Sequence, residues 1–171
     1  TLAFGLPLLE RIGKAEPRRP TALVLAPTRE LANQVYGVLA PLAKICGREV
    51  QAIYGGVGFD PQIDALRRGV DVIVGTPGRL IDLMDRGEIS FADVEVLVLD
   101  EADRMADMGF MPQVQKILFG MESDHQTMLF SATLDGAVKQ LVKRYMHDPV
   151  FHEVESDEPT VEEMEHRFLY V

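Results

Sequence analysis

The sequence predicts an α/β fold: one domain built on a doubly wound parallel sheet sandwiched by helices. Three observations predict it. Short apolar runs alternate along the chain with longer segments of helical period. Several of those runs are almost continuous in Val, Leu and Ile, the pattern of strands buried on both faces. Capping residues or proline precede the helical segments, and glycines follow them. At 171 residues the chain suits a single domain, which at that size buries roughly 70% of its unfolded surface.

Each element has its own warrant. The opening segment, TLAFGLPLLERIG, reads as a helix with no strand or turn before it, as if its beginning had been cut away. It lacks a basic leader, so it is not read as a signal peptide. Strands are predicted at TALVLA (21–26), EVQAIY (49–54), DVIVGT (71–76), VEVLVLD (94–100), QTMLFSA (126–132) and PVFHEV (149–154). Helices are predicted at 28–45, 60–68, 78–86, 111–121 and 135–146. Their starts carry Thr28, Asp60 with Pro61, Thr76 with Pro77, and Asp135. Gly47, Gly69 and Gly87 stand where helix C-termini end. Residues 1–154 form the domain, the acidic ESDEPTVEE region (155–165) is a solvated linker, and HRFLYV (166–171) opens a further strand.

Composition sets bounds on partners. No apolar run approaches the ~20 residues needed to cross a bilayer. The single cysteine, Cys46, excludes an internal disulfide framework and fits a reducing compartment, here read as the cytoplasm. Four scattered histidines lack metal-ligand spacing, and the methionines at 105, 108, 111, 121 and 128 read as packing. The net charge of −10 argues against a strongly basic funnel. Yet His152 to His166 holds seven acids and no Lys or Arg, leaving −3 for the rest. With a Debye length of about 8 Å at physiological salt, such a tail need not govern a distant face.

The chemistry concentrates at predicted strand ends. VEVLVLDEADRMADMGF (94–110) closes a buried strand on Asp100, Glu101 and Asp103. Ligands of open parallel sheets bind beyond such carboxyl ends. A hydrophobic strand ending in Asp-Glu is the arrangement in which the Asp helps hold Mg²⁺ on nucleotide phosphates. A dication also offsets the local repulsion, while the Glu is placed to orient or deprotonate water. The alternative is that Asp100 caps the next helix and the other acids are simply solvated. Pro27-Thr28-Arg29 and Thr76-Pro77-Gly78-Arg79 each open a helix, so N–H groups and a guanidinium point the same way, a fair phosphate site. Gly55-Gly56 lets another backbone approach closely or simply turns. Ser131-Ala132-Thr133 brings hydroxyls that can sense a carboxylate such as Asp103, or serve as local caps.

LAPTREL (25–31), YGG (54–56), GTPGR (75–79), DEAD (100–103) and FSAT (130–133) occur in that order, each at or just after a predicted strand. Together they resemble the first, RecA-like domain of DEAD-box RNA helicases, a P-loop NTPase fold, over nearly the whole chain. The resemblance implies that the parent protein is an ATP-dependent RNA helicase using ATP and Mg²⁺. It implies that Asp100 holds the metal, Glu101 positions water, and Asp103, Ser131 and Thr133 couple the nucleotide to closure of two domains. It implies that Pro27, Thr28, Arg29, Gly55, Gly56, Thr76, Gly78 and Arg79 contact the RNA sugar-phosphate backbone without reading sequence. The helix after Arg79 becomes a wedge that bends the strand.

The chain also departs from the family pattern. The G-x-x-x-x-G-K-[ST] loop is absent. Because TLAF often follows that loop in the family, Thr1 is assigned as its terminal residue, a nucleotide-site Mg²⁺ ligand. The glutamine element that recognises adenine and the second RecA-like domain with its arginine fingers are absent as well. The chain by itself is therefore expected to be nearly inactive in hydrolysis and weak in RNA binding. Two other classes compete: an RNA-binding scaffold module without catalysis, and a superfamily ATPase acting on DNA.

Overall fold

The computed structural model describes residues 1–121 and 124–153. Its centre is a five-stranded, all-parallel sheet in the order β2-β3-β1-β4-β5. The strands are β1 (Ala22–Leu25), β2 (Val50–Ile53), β3 (Val72–Gly75), β4 (Val96–Leu99) and β5 (Gln126–Leu129). They pair in simple register: Leu25 lies opposite Gly75 on one side and Leu99 on the other, Ile53 opposite Gly75, and Leu129 opposite Leu99. All five carboxyl ends therefore stop on one line.

The strand sequences explain which helices cover which face. Within β1, β3 and β4, side chains alternate between the two faces of the sheet. Ala22, Val24, Val72, Val74, Val96 and Val98 make one face, a layer of small and β-branched groups. Against it pack α1 (Leu2–Arg11), through Phe4, Leu8 and Leu9, and α2 (Arg29–Ile45), through Ala32, Val35 and Leu39. Leu23, Leu25, Ile73, Leu97 and Leu99 make the bulkier opposite face. There pack α3 (Asp60–Arg68), α4 (Pro77–Asp85), α5 (Ala102–Asp107), α6 (Met111–Phe119) and α7 (Gly136–Tyr145). Since α2 leaves β1 on one face while α4 and α5 leave its neighbours on the other, the sheet has its topological switch at β1. A crevice opens beyond the carboxyl ends at such a point.

Small residues set two close approaches. Gly5 of α1 lies against Leu39 of α2, and a Cβ there would collide with the Leu39 side chain. Gly75 ends β3, and a Cβ on it would sit 2.8 Å from the Ile53 carbonyl oxygen and 3.0 Å from Leu80 Cδ1. Backbone cannot yield as a side-chain tip can. Gly75→Ala is therefore expected to lower stability by about 1–3 kcal/mol, the range for overpacking a filled core, read by chemical denaturation.

The predicted elements map closely onto the observed ones, and Gly47, Gly69 and Gly87 have φ of 67°, 93° and 70° at helix ends. Three details differ. Helix α5 was not foreseen: ADRMAD is six residues long and carries only Ala102 and Met105 as buried anchors. Asp60 lies inside α3, whose N-cap is Phe59, and Asp135 caps α7 without a side-chain hydrogen bond. Pro149 to Glu153 form no strand. Val150 is 79% and Phe151 59% exposed, so among the described residues this stretch buries no apolar face. Val154, the linker at 155–165 and the strand at 166–171 lie outside the described residues. Met105 is fully buried, whereas Met108 is half exposed. Among the described residues no helix is long and apolar enough to cross a membrane.

Candidate functional site

The in-register sheet carries the five motifs to one rim. Directly after the strand ends come Tyr54-Gly55-Gly56, Ala26-Pro27-Thr28-Arg29, Thr76-Pro77-Gly78-Arg79, Asp100-Glu101 with Asp103, and Phe130-Ser131-Ala132-Thr133. Asp100 follows β4 and Arg79 follows β3, strands that flank β1 on either side.

The acidic half is built by a sharp turn. Glu101 adopts φ 50°, ψ 55°, the left-handed region that a residue with a side chain rarely enters. That turn lets α5 begin at once, and Ala102 N–H donates to the Phe130 carbonyl at 3.0 Å, tying the β4 and β5 loops together. Ser131 Oγ accepts from Asp103 N–H at 3.1 Å and donates to the Thr133 carbonyl at 2.6 Å. The Ser131 hydroxyl thus grips the Asp103 backbone; the expected contact with the Asp103 carboxylate is not the one formed. Asp100, Glu101, Asp103, Arg104, Phe130, Ser131 and Ala132 line an open cleft of about 480 Å³.

Charge in this cleft is only partly compensated. Burial pushes the Asp100 carboxyl above the ordinary carboxylate range, and the Glu101 charge pushes it further. A hydrogen bond from the Glu101 N–H acts the other way. Phe4 of α1 also packs on Phe130, with ring centroids 5.5 Å apart. Among the described residues, the cation paired with these acids is Arg104, 3.1 Å from Glu101 Oε2.

At the opposite, amino-terminal rim the charges are spent on one another. Lys14 pairs with Asp71 at 2.8 Å, Arg18 and Arg67 with Glu88, and Arg19 with Asp93. The Arg19 guanidinium holds the Asp93 carboxyl below its usual range.

The donor set of the acidic cleft suits a hard divalent cation. Asp100, Glu101 and Asp103 offer carboxylate oxygens and Ser131 a hydroxyl. Among the described residues no group of three or more His, Cys, Asp and Glu forms a cage of its own. That combination fits Mg²⁺, which binds through one or two carboxylates together with substrate phosphates.

The basic half divides in two. Thr28 is the N-cap of α2, its side chain accepting from Leu31 N–H at 3.2 Å, and Pro27 is buried beside it. Arg29 is exposed, with Nε 3.3 Å from Glu30 Oε1. Thr76 caps α4 without a side-chain bond, so its hydroxyl stays uncommitted, and a Cβ on Gly78 would meet nothing within 4 Å. Gly56 has φ 81°, and a Cβ there would lie 3.7 Å from Arg29 Nη1. Loop and arginine are therefore neighbours.

Arg79 departs from the expectation that it reaches outward as Arg29 does. It is only 8% exposed. Its guanidinium lies 4.0 Å from the centre of the Phe59 ring, and its Nη2 donates to the Val57 carbonyl at 2.9 Å. Attraction to the ring face and a carbonyl acceptor draw it inward. Phe59 and Gln62 lie outside the motifs, and Gly75 and Arg86 have no individual role assigned from the sequence. Of these only Gly75 carries a signal, because a glycine at the end of a buried strand marks a close backbone approach.

Comparison with known proteins bears on the family and the fold. Residues 1–141 match the family model described as DEAD/DEAH box helicase. The chain is 42% identical over 166 residues to the DEAD-box ATP-dependent RNA helicase 53 of Oryza sativa subsp. japonica, covering 92% of this chain and 27% of that one. It is 42% identical over all 171 residues to the DEAD-box ATP-dependent RNA helicase CshA of Bacillus subtilis, 34% of whose length is covered. Among solved structures it is similar to the yeast DEAD-box splicing factor Prp28, with TM-score 0.79 and 36% identity over 85% of this chain and 36% of that one. A DEAD box protein from Methanococcus jannaschii matches with TM-score 0.79 and 39% identity over 86% of this chain and 40% of that one. The chain spans 27% and 34% of those two curated relatives. With its motifs on one rim of a RecA-like sheet and the family model matched over most of its length, the chain belongs to the DEAD/DEAH box helicase family.

Proposed function

We propose that the protein containing this chain is an RNA-stimulated ATPase that opens short RNA duplexes or displaces proteins from RNA. The observation that carries this reading is the shared rim: an acidic cleft, in which Arg104 pairs with Glu101 alone, and two helix starts with an arginine each, separated only by neighbouring strands. Asp100, with the Thr1 hydroxyl, would hold Mg²⁺. When bound, the ion neutralises charge on the nucleotide phosphates.

The chain's own residues supply the rest. Glu101, held at the cleft by the left-handed turn, orients the attacking water and takes its proton. Thr28, Arg29, Gly55, Gly56, Thr76 and Gly78 contact the RNA sugar-phosphate backbone through N–H groups and one guanidinium, which gives grip without sequence selectivity. Arg79 belongs to the same surface from beneath, through the Val57 carbonyl. The Ser131 bridge from Asp103 to Thr133 links the metal-side loop to the β5 loop, so a shift of one is felt by the other. A second RecA-like domain, entered through the acidic 155–165 segment and begun at 166–171, completes the site, and ATP with RNA favours the closed pair. The compartment proposed is the cytoplasm.

The test is ATP turnover by the full-length protein with and without single-stranded RNA. Stimulation by RNA but not by DNA of the same sequence is expected. RNA binding without any ATP turnover would instead support a scaffold module, and equal stimulation by DNA would support the DNA-acting class.

A further inference from the structure

The segment Tyr54–Gly58 joins β2 to α3 and carries three glycines, so its own side chains do little to hold it. Two buried side chains hold it from outside. Gln62 of α3 donates from Nε2 to the Tyr54 carbonyl at 3.1 Å. Arg79 of α4 donates from Nη2 to the Val57 carbonyl at 2.9 Å. The second anchor is itself anchored. Phe59 lies at the start of α3, packed on the core beneath that face of the sheet. Its ring centre is 4.0 Å from the Arg79 guanidinium carbon and 3.9 Å from that of Arg86. One ring carries both cations.

Arg79 has further reason to need that ring. Its Nε and Nη1 are buried and have no hydrogen-bond partner. A buried guanidinium with unspent donors is poorly held by hydrogen bonding alone. The aromatic face supplies the missing attraction. The loop that Arg79 fixes in turn presents Gly56 beside Arg29.

We propose that Phe59 and Arg86 are positioning residues for strand binding, a role that rests on the RNA-contacting reading of this rim. The ring fixes Arg79, Arg79 fixes the Val57 carbonyl, and Gly55-Gly56 is thereby presented to the sugar-phosphate backbone next to Arg29. Neither Phe59 nor Arg86 needs to touch RNA.

The experiment uses the full-length protein with Phe59→Leu, Phe59→Tyr and Arg86→Ala. Two quantities are read: amide hydrogen exchange at residues 55–58 without RNA, and the KM values for RNA and ATP in RNA-stimulated turnover. Phe59→Leu should speed exchange and raise the RNA KM by about tenfold each, the factor that a partly desolvated cation–π contact is worth, with the ATP KM unmoved. Phe59→Tyr, which keeps the ring, should restore both. Arg86→Ala removes an exposed side chain at a helix end, so it keeps the fold; it should shift both readouts the same way by roughly threefold.

Unchanged exchange at 55–58 in Phe59→Leu and Arg86→Ala would overturn the proposal. So would RNA and ATP KM values that rise together, the mark of a ring that only fills the core. If the unaltered protein responds to no RNA at all, the RNA reading itself falls. The exchange data still decide whether the ring holds the loop, so the two failures are distinguishable.

Discussion

Glu101→Gln in the full-length protein is expected to lower RNA-stimulated ATP turnover by roughly 10²–10⁴-fold, the usual worth of a positioned proton acceptor. Binding of ATP and RNA should change little. The substitution keeps the shape of the side chain and removes only its capacity to take a proton. The fold should also tolerate it, since the carboxylate is 42% exposed and, among the described residues, pairs with the exposed Arg104. A second variant separates chemistry from stability. Glu101 sits at φ 50°, ψ 55°, a conformation that costs of order 1–3 kcal/mol for a residue with a side chain. Glu101→Gly should therefore be as inactive as Glu101→Gln while melting no lower than the unaltered protein. Turnover and stability then move independently, which is the signature of strain held at a working site. Rates from steady-state turnover and melting by calorimetry decide it. An active Glu101→Gln protein would remove Glu101 from the mechanism.

Asp71→Ala should have the largest effect on stability. Asp71 begins the β3 side of the sheet at the amino-terminal rim, where its side chain is 1% exposed. Its carboxylate accepts from Lys14 Nζ at 2.8 Å, Ala15 N–H at 2.7 Å and Glu49 N–H at 2.7 Å. It thereby pins the connection into β1 and the start of β2 to β3. Removing it strands two backbone donors, at about 1–3 kcal/mol for each unsatisfied buried group. A loss of about 2–4 kcal/mol is expected, because Lys14 is 62% exposed and turns to water. That corresponds to a melting temperature lower by roughly 5–15 °C for a domain of this size.

The same residue sets a pH dependence with a definite sign. Burial raises the Asp71 carboxyl, but the Lys14 hydrogen bond and the two N–H donors outweigh it, and the net direction is downward. A carboxylate with a folded-state pKa below its unfolded value of about 3.9 adds stability above that value. The contribution disappears as pH falls through the unfolded value towards the folded one. The stability gap between the unaltered protein and Asp71→Ala should thus be widest above about pH 5 and close below about pH 4, measured by urea unfolding across pH 3–7.

How far the sequence foretold all this depends on what each residue's role requires. Val72, Val74, Val96 and Val98 announce a doubly covered strand because burial on both faces demands apolar residues at every position, a constraint local to the chain. The rim was legible for a related reason. In a parallel sheet every strand end points the same way, so motifs that each follow a strand must share an edge. Asp71 was passed over because its three partners, Lys14, Ala15 and Glu49, are far from it in sequence. Nothing about an Asp before an apolar run says which N–H groups it will meet. Arg79 was read as outward because TPGR looks like PTR, yet Phe59, twenty residues earlier, turns it inward. PVFHEV has the alternation of a strand, yet its described residues, Pro149 to Glu153, form none and leave Val150 and Phe151 exposed. Helix α5 was missed because six residues with two buried anchors are too few to display a period.

The central claim is that metal-nucleotide and RNA meet on the carboxyl rim of this sheet. It is tested most directly by a structure of the full-length protein with a non-hydrolysable ATP analogue, Mg²⁺ and single-stranded RNA. The account predicts the ion bound to Asp100, directly or through water, and RNA phosphates within hydrogen-bond reach of Arg29, Gly56 and Thr76. RNA lying along the amino-terminal rim beside Asp71 and Glu95, or an ion held away from Asp100, would contradict it.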